Sequence, residues 1–150
     1  MPFTVLVCVD GSELAESALV EGLAVLREHE RTVLVSVVDG PDTSLVMGGS
    51  GFAGGVLTGE ELAEIQREKI AEAESMLKET ATRLGHADAE LVVLEGAAGS
   101  AICELAETLP ASVIVLGTRG RGGLRRAVLG SVSDHVVRHA PCVVLTRNPD

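Results

Sequence analysis

Residues 112–133 read SVIVLGTRGRGGLRRAVLGSVS, and the rest of the chain is interpreted from this stretch. Val113 to Leu116 is a short, β-branched apolar run of the kind that forms a strand covered on both faces. It empties into a loop carrying Gly117, Gly120 and four arginines (Arg119, Arg121, Arg125, Arg126) with no acidic residue, and the loop closes on Gly130-Ser131, where a helix is expected to begin. Strand, glycine-rich loop and helix start together make an anion-binding layout. Glycine lets the backbone approach an anion closely, and the free N–H groups of a helix start face it with the positive end of the helix dipole. Spacing narrows the reading, because Gly117, Gly120, Gly130 and Ser131 stand as G-x-x-G, nine residues, then G-S. No Gly-Lys pair occurs in the chain, which excludes a Walker-type phosphate loop, and Arg125 stands where a dinucleotide fingerprint starting at Gly120 needs a small residue.

Outward from this stretch, apolar runs alternate with helical patterns. Downstream, Ser131 to His139 predicts a helix stopped by Ala140-Pro141, and Cys142 to Thr146 predicts a last strand. Upstream, Phe3 to Val9 and Thr32 to Val38 are strand-like, separated by a helix that Ser12 would cap and that Leu19, Leu23 and Leu26 carry through Arg27. Strand, helix and strand in so short a span imply a right-handed crossover and a parallel sheet. Residues 40–59 turn glycine-rich, and a mobile connection is the plain reading, with a lid over the anion site as the alternative. Thr58 with Glu61 forms a capping box, opening a long helix with Leu62, Ile65, Ala73, Met76, Leu77 and Leu84 on its inner face and Gly85 at its end. Glu90 to Glu95 is a third strand, followed by a short helix that Ser100 would cap and Pro110 would end. The chain thus reads β-α-β-α-β-α-β-α-β, one α/β domain over residues 1–150 with helices on both faces of the sheet.

Composition removes several function classes. The formal net charge of −10 and the scarcity of aromatics (Phe3 and Phe52, no Trp or Tyr) argue against a nucleic-acid surface, and the loop arginines are too local to make one. Any purine ring would have to lie among aliphatic side chains and backbone. Cys8, Cys103 and Cys142 sit in apolar runs without C-x-x-C spacing, which predicts reduced buried thiols rather than a disulfide framework or a zinc site. No segment reads as a signal peptide or a membrane span, so the expectation is a cytoplasmic protein. His135 and His139 stand at i, i+4 without a third ligand, and no G-x-S-x-G elbow exists, so neither a metal centre nor an acyl-transfer site is expected.

VCVDGS at residues 7–12 and GTRGRGGLRRAVLGSVSDHVVRHAPCVVL at residues 117–145, set in this five-strand pattern, resemble the nucleotide-binding branch of the universal stress protein family. The resemblance implies a flavodoxin-like or Rossmann-like parallel sheet in the order 3-2-1-4-5, a homodimer paired through the strand Cys142 to Thr146, and regulatory binding of ATP with Mg²⁺ held through its phosphates. In such a sheet a ligand lodges outside the carboxyl ends of strands 1 and 4, where the order reverses, and those ends carry Asp10 and Gly117. By resemblance, Val9 and Asp10 face the nucleoside, Val37 walls the adenine, and Leu116 and Gly117 line the floor. Arg119 and Gly120 approach the ribose or phosphates, and Gly130, Ser131, Val132 and Ser133 offer N–H groups and hydroxyls to the phosphates. No catalytic residue is implied. Two alternatives stand beside this reading: a slow ATP hydrolase or phosphotransferase using Asp10 or Asp39, and a nucleotide-independent homodimeric interaction protein.

Overall fold

The computed structural model describes residues 2–26, 28, 31–45, 56–117 and 130–147. Five strands, β1 (Thr4–Cys8), β2 (Arg31–Val38), β3 (Glu90–Glu95), β4 (Val113–Gly117) and β5 (Val143–Arg147), form one sheet in the order β3-β2-β1-β4-β5. Every pairing is parallel, with Leu6 opposite both Val33 and Ile114, and Gly117 opposite Arg147. Four helices, α1 (Glu13–Ala24), α2 (Gly59–Arg83), α3 (Ala98–Thr108) and α4 (Ser131–His139), join the strands.

The period of two in each strand divides the core into two layers. Val5, Val7 and Val9 point to the side of α1 and α2, where they meet Leu19, Leu77 and Ala81. Leu6, Val33, Val35, Ile114 and Leu116 point the other way, onto Ile102, Cys103 and Ala106 of α3 and Val136 of α4. Both faces being covered, the strands show continuous apolar runs rather than polar alternation.

Element ends depart from the sequence reading where backbone hydrogen bonds decide. The first helix stops at Ala24, not Arg27, because the N–H groups of Val25 and Leu26 bond the carbonyls of Gly22 and Leu23 in tightened i to i−3 fashion. Ser100 does not cap α3. Gly96, at φ +119°, reverses the chain directly after β3, so the helix starts at Ala98 and Ser100 falls inside its first turn. The capping box of α2 forms as read, and its far end closes in a Schellman turn: Gly85 takes φ +76°, its N–H bonds Thr82 and the N–H of His86 bonds Ala81. Within the glycine-rich stretch, Thr43–Leu45 makes a single 3-10 turn, and the Val56 and Leu57 amides both donate to the Leu45 carbonyl, tying the two ends of the connection together. The connection read from the sequence as mobile, with a lid as the alternative, spans residues 40–59, of which 46–55 lie outside the described residues.

Helices α1 and α2 are also joined by charge: the Arg83 guanidinium donates to both carboxylate oxygens of Glu16, at 2.7 and 2.9 Å. These hydrogen bonds hold the Glu16 carboxyl below the usual glutamate range. A depressed folded-state pKa contributes stability above the unfolded value and loses it as pH falls through the folded value. Glu16→Gln is therefore expected to lower the thermal midpoint at pH 7 by about 1–3 °C. That gap should narrow as pH falls below the ordinary glutamate range and close once Glu16 is protonated in the folded protein as well. Paired melts across this range check it.

Candidate functional site

The strand order reverses between β1 and β4, so the connections leaving these two strands diverge, one to α1 and the other to α4 on the opposite face. A crevice at the carboxyl ends of β1 and β4 is the geometric consequence.

On the β1 side, Asp10-Gly11-Ser12 forms a tight polar turn. Asp10 Oδ1 accepts from the Ser12 backbone N–H and from the Ser12 hydroxyl, both at 2.8 Å, Gly11 takes φ +81°, and Ser12 Oγ accepts from the Ala15 N–H to cap α1. Asp10 is half-buried, and its carboxylate is held at the crevice by the same turn that starts the helix. Val9 contributes differently from the expectation that it faces the nucleoside: its side chain is packed into the α1 and α2 layer and its N–H donates to the Val35 carbonyl.

On the β4 side, Leu116 is buried in the α3 and α4 layer and Gly117 ends the strand. An added Cβ at Gly117 would sit 2.9 Å from Ala15 Cα, so glycine is needed there for the close approach of β4 to α1. Val37, half-buried near the end of β2, lies on the α3 and α4 side, the face opposite Val9. Arg119 and Gly120 lie outside the described residues.

The start of α4 contrasts with the starts of α1 and α2. Those two helices carry side-chain caps from Ser12 and Thr58, whereas the N-cap of α4 is Gly130, at φ −61° and ψ 161°, which has no side chain to give. The first intrahelical bond runs from the Asp134 N–H to the Gly130 carbonyl at 2.8 Å, so the amides of Ser131 and Val132 precede the hydrogen-bond ladder. Ser131 and Val132 are exposed, while Ser133 is buried and turns its hydroxyl back to the Gly130 carbonyl at 3.0 Å. The serine hydroxyls therefore divide: Ser131 faces outward and Ser133 braces the helix start.

Among the described residues, two buried side-chain atoms lack a hydrogen-bond partner, Gln66 Oε1 and Thr146 Oγ1. Sequence reading missed both. The signal for Gln66 was its spacing of four from Leu62 on the core-facing stripe Leu62, Gln66, Ala73, Leu77; Ile65, assigned inward from the sequence, is instead 37% exposed. The three thiols are free, and burial pushes those of Cys8, Cys103 and Cys142 up, as expected of structural cysteines. Among the described residues there is no group of three or more His, Cys, Asp or Glu side chains placed to hold a metal ion.

A sheet of order 3-2-1-4-5 with this switch-point crevice defines an α/β protein of the flavodoxin-like class. The universal stress protein family model matches residues 1–146, and the chain belongs to that family. It is 30% identical over 141 residues to a universal stress protein of Methanocaldococcus jannaschii, covering 94% of this chain and 79% of the relative. The fold is shared with UspA from Lactobacillus plantarum (TM-score 0.71, 24% identity, 96% of each chain). It is shared as well with a universal stress protein solved in complex with cAMP (TM-score 0.64, 21% identity, covering 99% of this chain and 98% of that one). An Arabidopsis thaliana family member with AMP bound aligns at TM-score 0.59 and 17% identity, covering 99% of this chain and 93% of that one.

Proposed function

We propose that this protein binds an adenine nucleotide in the crevice between β1 and β4, ATP with Mg²⁺ held through its phosphates, and acts as a cytoplasmic regulatory protein of the stress response. The observation that carries the reading is the start of α4, a helix N-terminus whose cap residue offers no side chain, opening on the edge where Asp10 is held. Bound cAMP and AMP in two proteins of the same fold support an adenine nucleotide as the ligand class. In this reading the amides from Gly130 onward take phosphate oxygens, Asp10 accepts from the nucleoside, and Val37 and Leu116 supply aliphatic walls. Asp10 orients the ligand, and no residue acts as nucleophile or general base. A homodimer through β5 belongs to the same proposal: Val143 is 67% exposed on the strand that ends the sheet's order. No described helix is long and apolar enough to cross a membrane.

Titration with ATP·Mg is expected to saturate at one nucleotide per chain. At a free concentration of about 100 times Kd, binding should stabilise the fold by roughly 2.7 kcal/mol, or about 5–10 °C in the melting midpoint. Native mass spectrometry of gently purified protein should show the nucleotide bound and intact. No thermal shift together with no retained nucleotide would overturn the proposal, and turnover of ATP that Asp10→Ala abolishes would replace it with the hydrolase reading.

A further inference from the structure

Away from the crevice, the two histidines of α4 form a pair. His135 and His139 stand one turn apart, their rings facing each other with centroids 4.3 Å apart and planes 26° from parallel. His139 Nδ1 lies 2.9 Å from the His135 carbonyl oxygen. That oxygen can only accept, so Nδ1 carries the proton and, in the neutral ring, Nε2 keeps a lone pair. A metal-ligating imidazole is ordinarily held in this way: one nitrogen donates to a carbonyl, fixing tautomer and ring, and the other is left for the ion.

The His135 ring is fixed from another side. At position 99 α3 has glycine, and a Cβ there would fall between 2.7 and 2.8 Å from Cβ, Cγ and Cδ2 of His135, so the ring rests against the α3 backbone where a larger residue would displace it. His135 is half-buried and cannot swing toward α3, whereas His139 is exposed, and its ring is the one free to adjust. Two imidazoles bound side by side to one ion, each through a nitrogen about 2.0–2.1 Å from it, set their centroids roughly 4.5 Å apart. The observed spacing is close to that. Charge favours the place as well. His139 is the last residue of α4, at the negative end of the helix dipole. The neighbouring cation, Arg138, is neutralised by Asp134, its Nε lying 3.1 and 3.0 Å from the two carboxylate oxygens.

We infer that His135 and His139 chelate a divalent transition-metal cation of the Zn²⁺ or Ni²⁺ kind. Imidazole nitrogen suits these ions, whereas Mg²⁺ and Ca²⁺ take oxygen ligands. Among the described residues no group of three His, Cys, Asp or Glu side chains is placed to hold a metal, so water fills the remaining positions and the site is a two-imidazole clip across the last turn of α4. For want of a third ligand the sequence spacing predicts no metal centre; the ring orientations carry this one. The clip stands apart from the nucleotide reading, since neither ring belongs to the crevice.

The test titrates Zn²⁺ into nucleotide-free protein, because phosphates would themselves take up the ion. Calorimetry and the nitrogen NMR resonances of the histidine side chains follow it. One Zn²⁺ per chain is expected, shifting Nε2 of His139 and a nitrogen of His135, and Mg²⁺ at the same concentration should shift neither. His139→Gln and His135→Gln should each weaken Zn²⁺ by more than about 10-fold, and the double variant by little more than either, because loss of one ligand already breaks the chelate. His139 is exposed, so His139→Gln should keep the metal-free thermal midpoint and lose only the rise that Zn²⁺ gives. Wild-type Zn²⁺ affinity in His139→Gln overturns the inference. So does a double variant whose loss is the product of two comparable single losses, which would mean two independent imidazoles.

Discussion

Gly130→Asp is expected to make the nucleotide-free protein more stable and to lower its affinity for ATP by more than about 100-fold, which is roughly 2.7 kcal/mol. The backbone permits the change: φ −61° and ψ 161° at Gly130 is a helix N-cap conformation open to any residue. An aspartate there would accept from the first-turn amides of α4, as Ser12 accepts from Ala15 at the start of α1, and its charge would suit the helix dipole. Replacing glycine by a good capping residue gains a few tenths to about 1 kcal/mol, or up to about 4 °C in midpoint for a chain of this size. The same carboxylate occupies the amides on which a phosphate would rest and sets a negative charge against a polyanion. Stability and binding should therefore move in opposite directions, a pattern that general loss of structure cannot produce. Gly130→Ala serves as the control: it supplies no cap, costs about 0.5–1 kcal/mol of stability, and should weaken ATP far less. Wild-type ATP affinity in Gly130→Asp would remove the helix start from the binding site. The oligomeric state should be the same in all three proteins, since a nucleotide-independent assembly has no use for these amides.

How much of this was legible in the sequence depended on the range over which each feature is determined. The alternation of elements is written locally, in runs such as Thr32 to Val38 and in caps such as Thr58 with Glu61, and these two formed, while the cap read at Ser100 did not. Strand order is not local. The pattern implied a parallel sheet, and the order 3-2-1-4-5 came from the resemblance carried by residues 7–12 and 117–145; the observed pairing of β1 with both β2 and β4 bears it out. Asp10 and Gly117 were legible as strand ends because each terminates an apolar run, their adjacency came from the order that the resemblance implies, and the topology brings those ends together. What escaped were orientations. Periodicity could not decide between the adjacent residues Ile65 and Gln66 for the inner face of α2, because the winning contact is Gln66 with Asp39 and Glu95, distant in the chain. Nor does a motif reveal that the Ser133 hydroxyl turns inward to Gly130, or that Val9 gives its side chain to the core.

Gly117→Val is expected to cost about 1–3 kcal/mol of stability and to weaken ATP at the same time, and the two losses have one origin. The glycine is required by proximity, not by an unusual dihedral: Gly117 is absent from the positive-φ glycines Gly11, Gly85 and Gly96, while its ideal Cβ falls 2.9 Å from Ala15 Cα and 3.0 Å from Ala15 Cβ. Ala15 belongs to the first turn of α1, and its N–H is the one that Ser12 Oγ caps, so a displaced Ala15 pulls on the turn that positions Asp10. A rigid helix backbone cannot yield as the tip of a flexible side chain would, and the strain must spread along α1 or β4. A graded series separates this from conformational strain. If a forbidden dihedral were the cause, Gly117→Ala and Gly117→Val would cost nearly the same; with contact as the cause, alanine meets Ala15 alone and valine adds two further carbons, so valine costs more. Gly40→Ala, where an added Cβ meets nothing within 4 Å, should change stability by no more than about 0.5 kcal/mol. Urea unfolding at constant m-value measures the series. A wild-type midpoint for Gly117→Val would contradict the 2.9 Å approach of the Gly117 Cβ position to Ala15 Cα and, with it, the close pairing of the β4 end with the turn that holds Asp10.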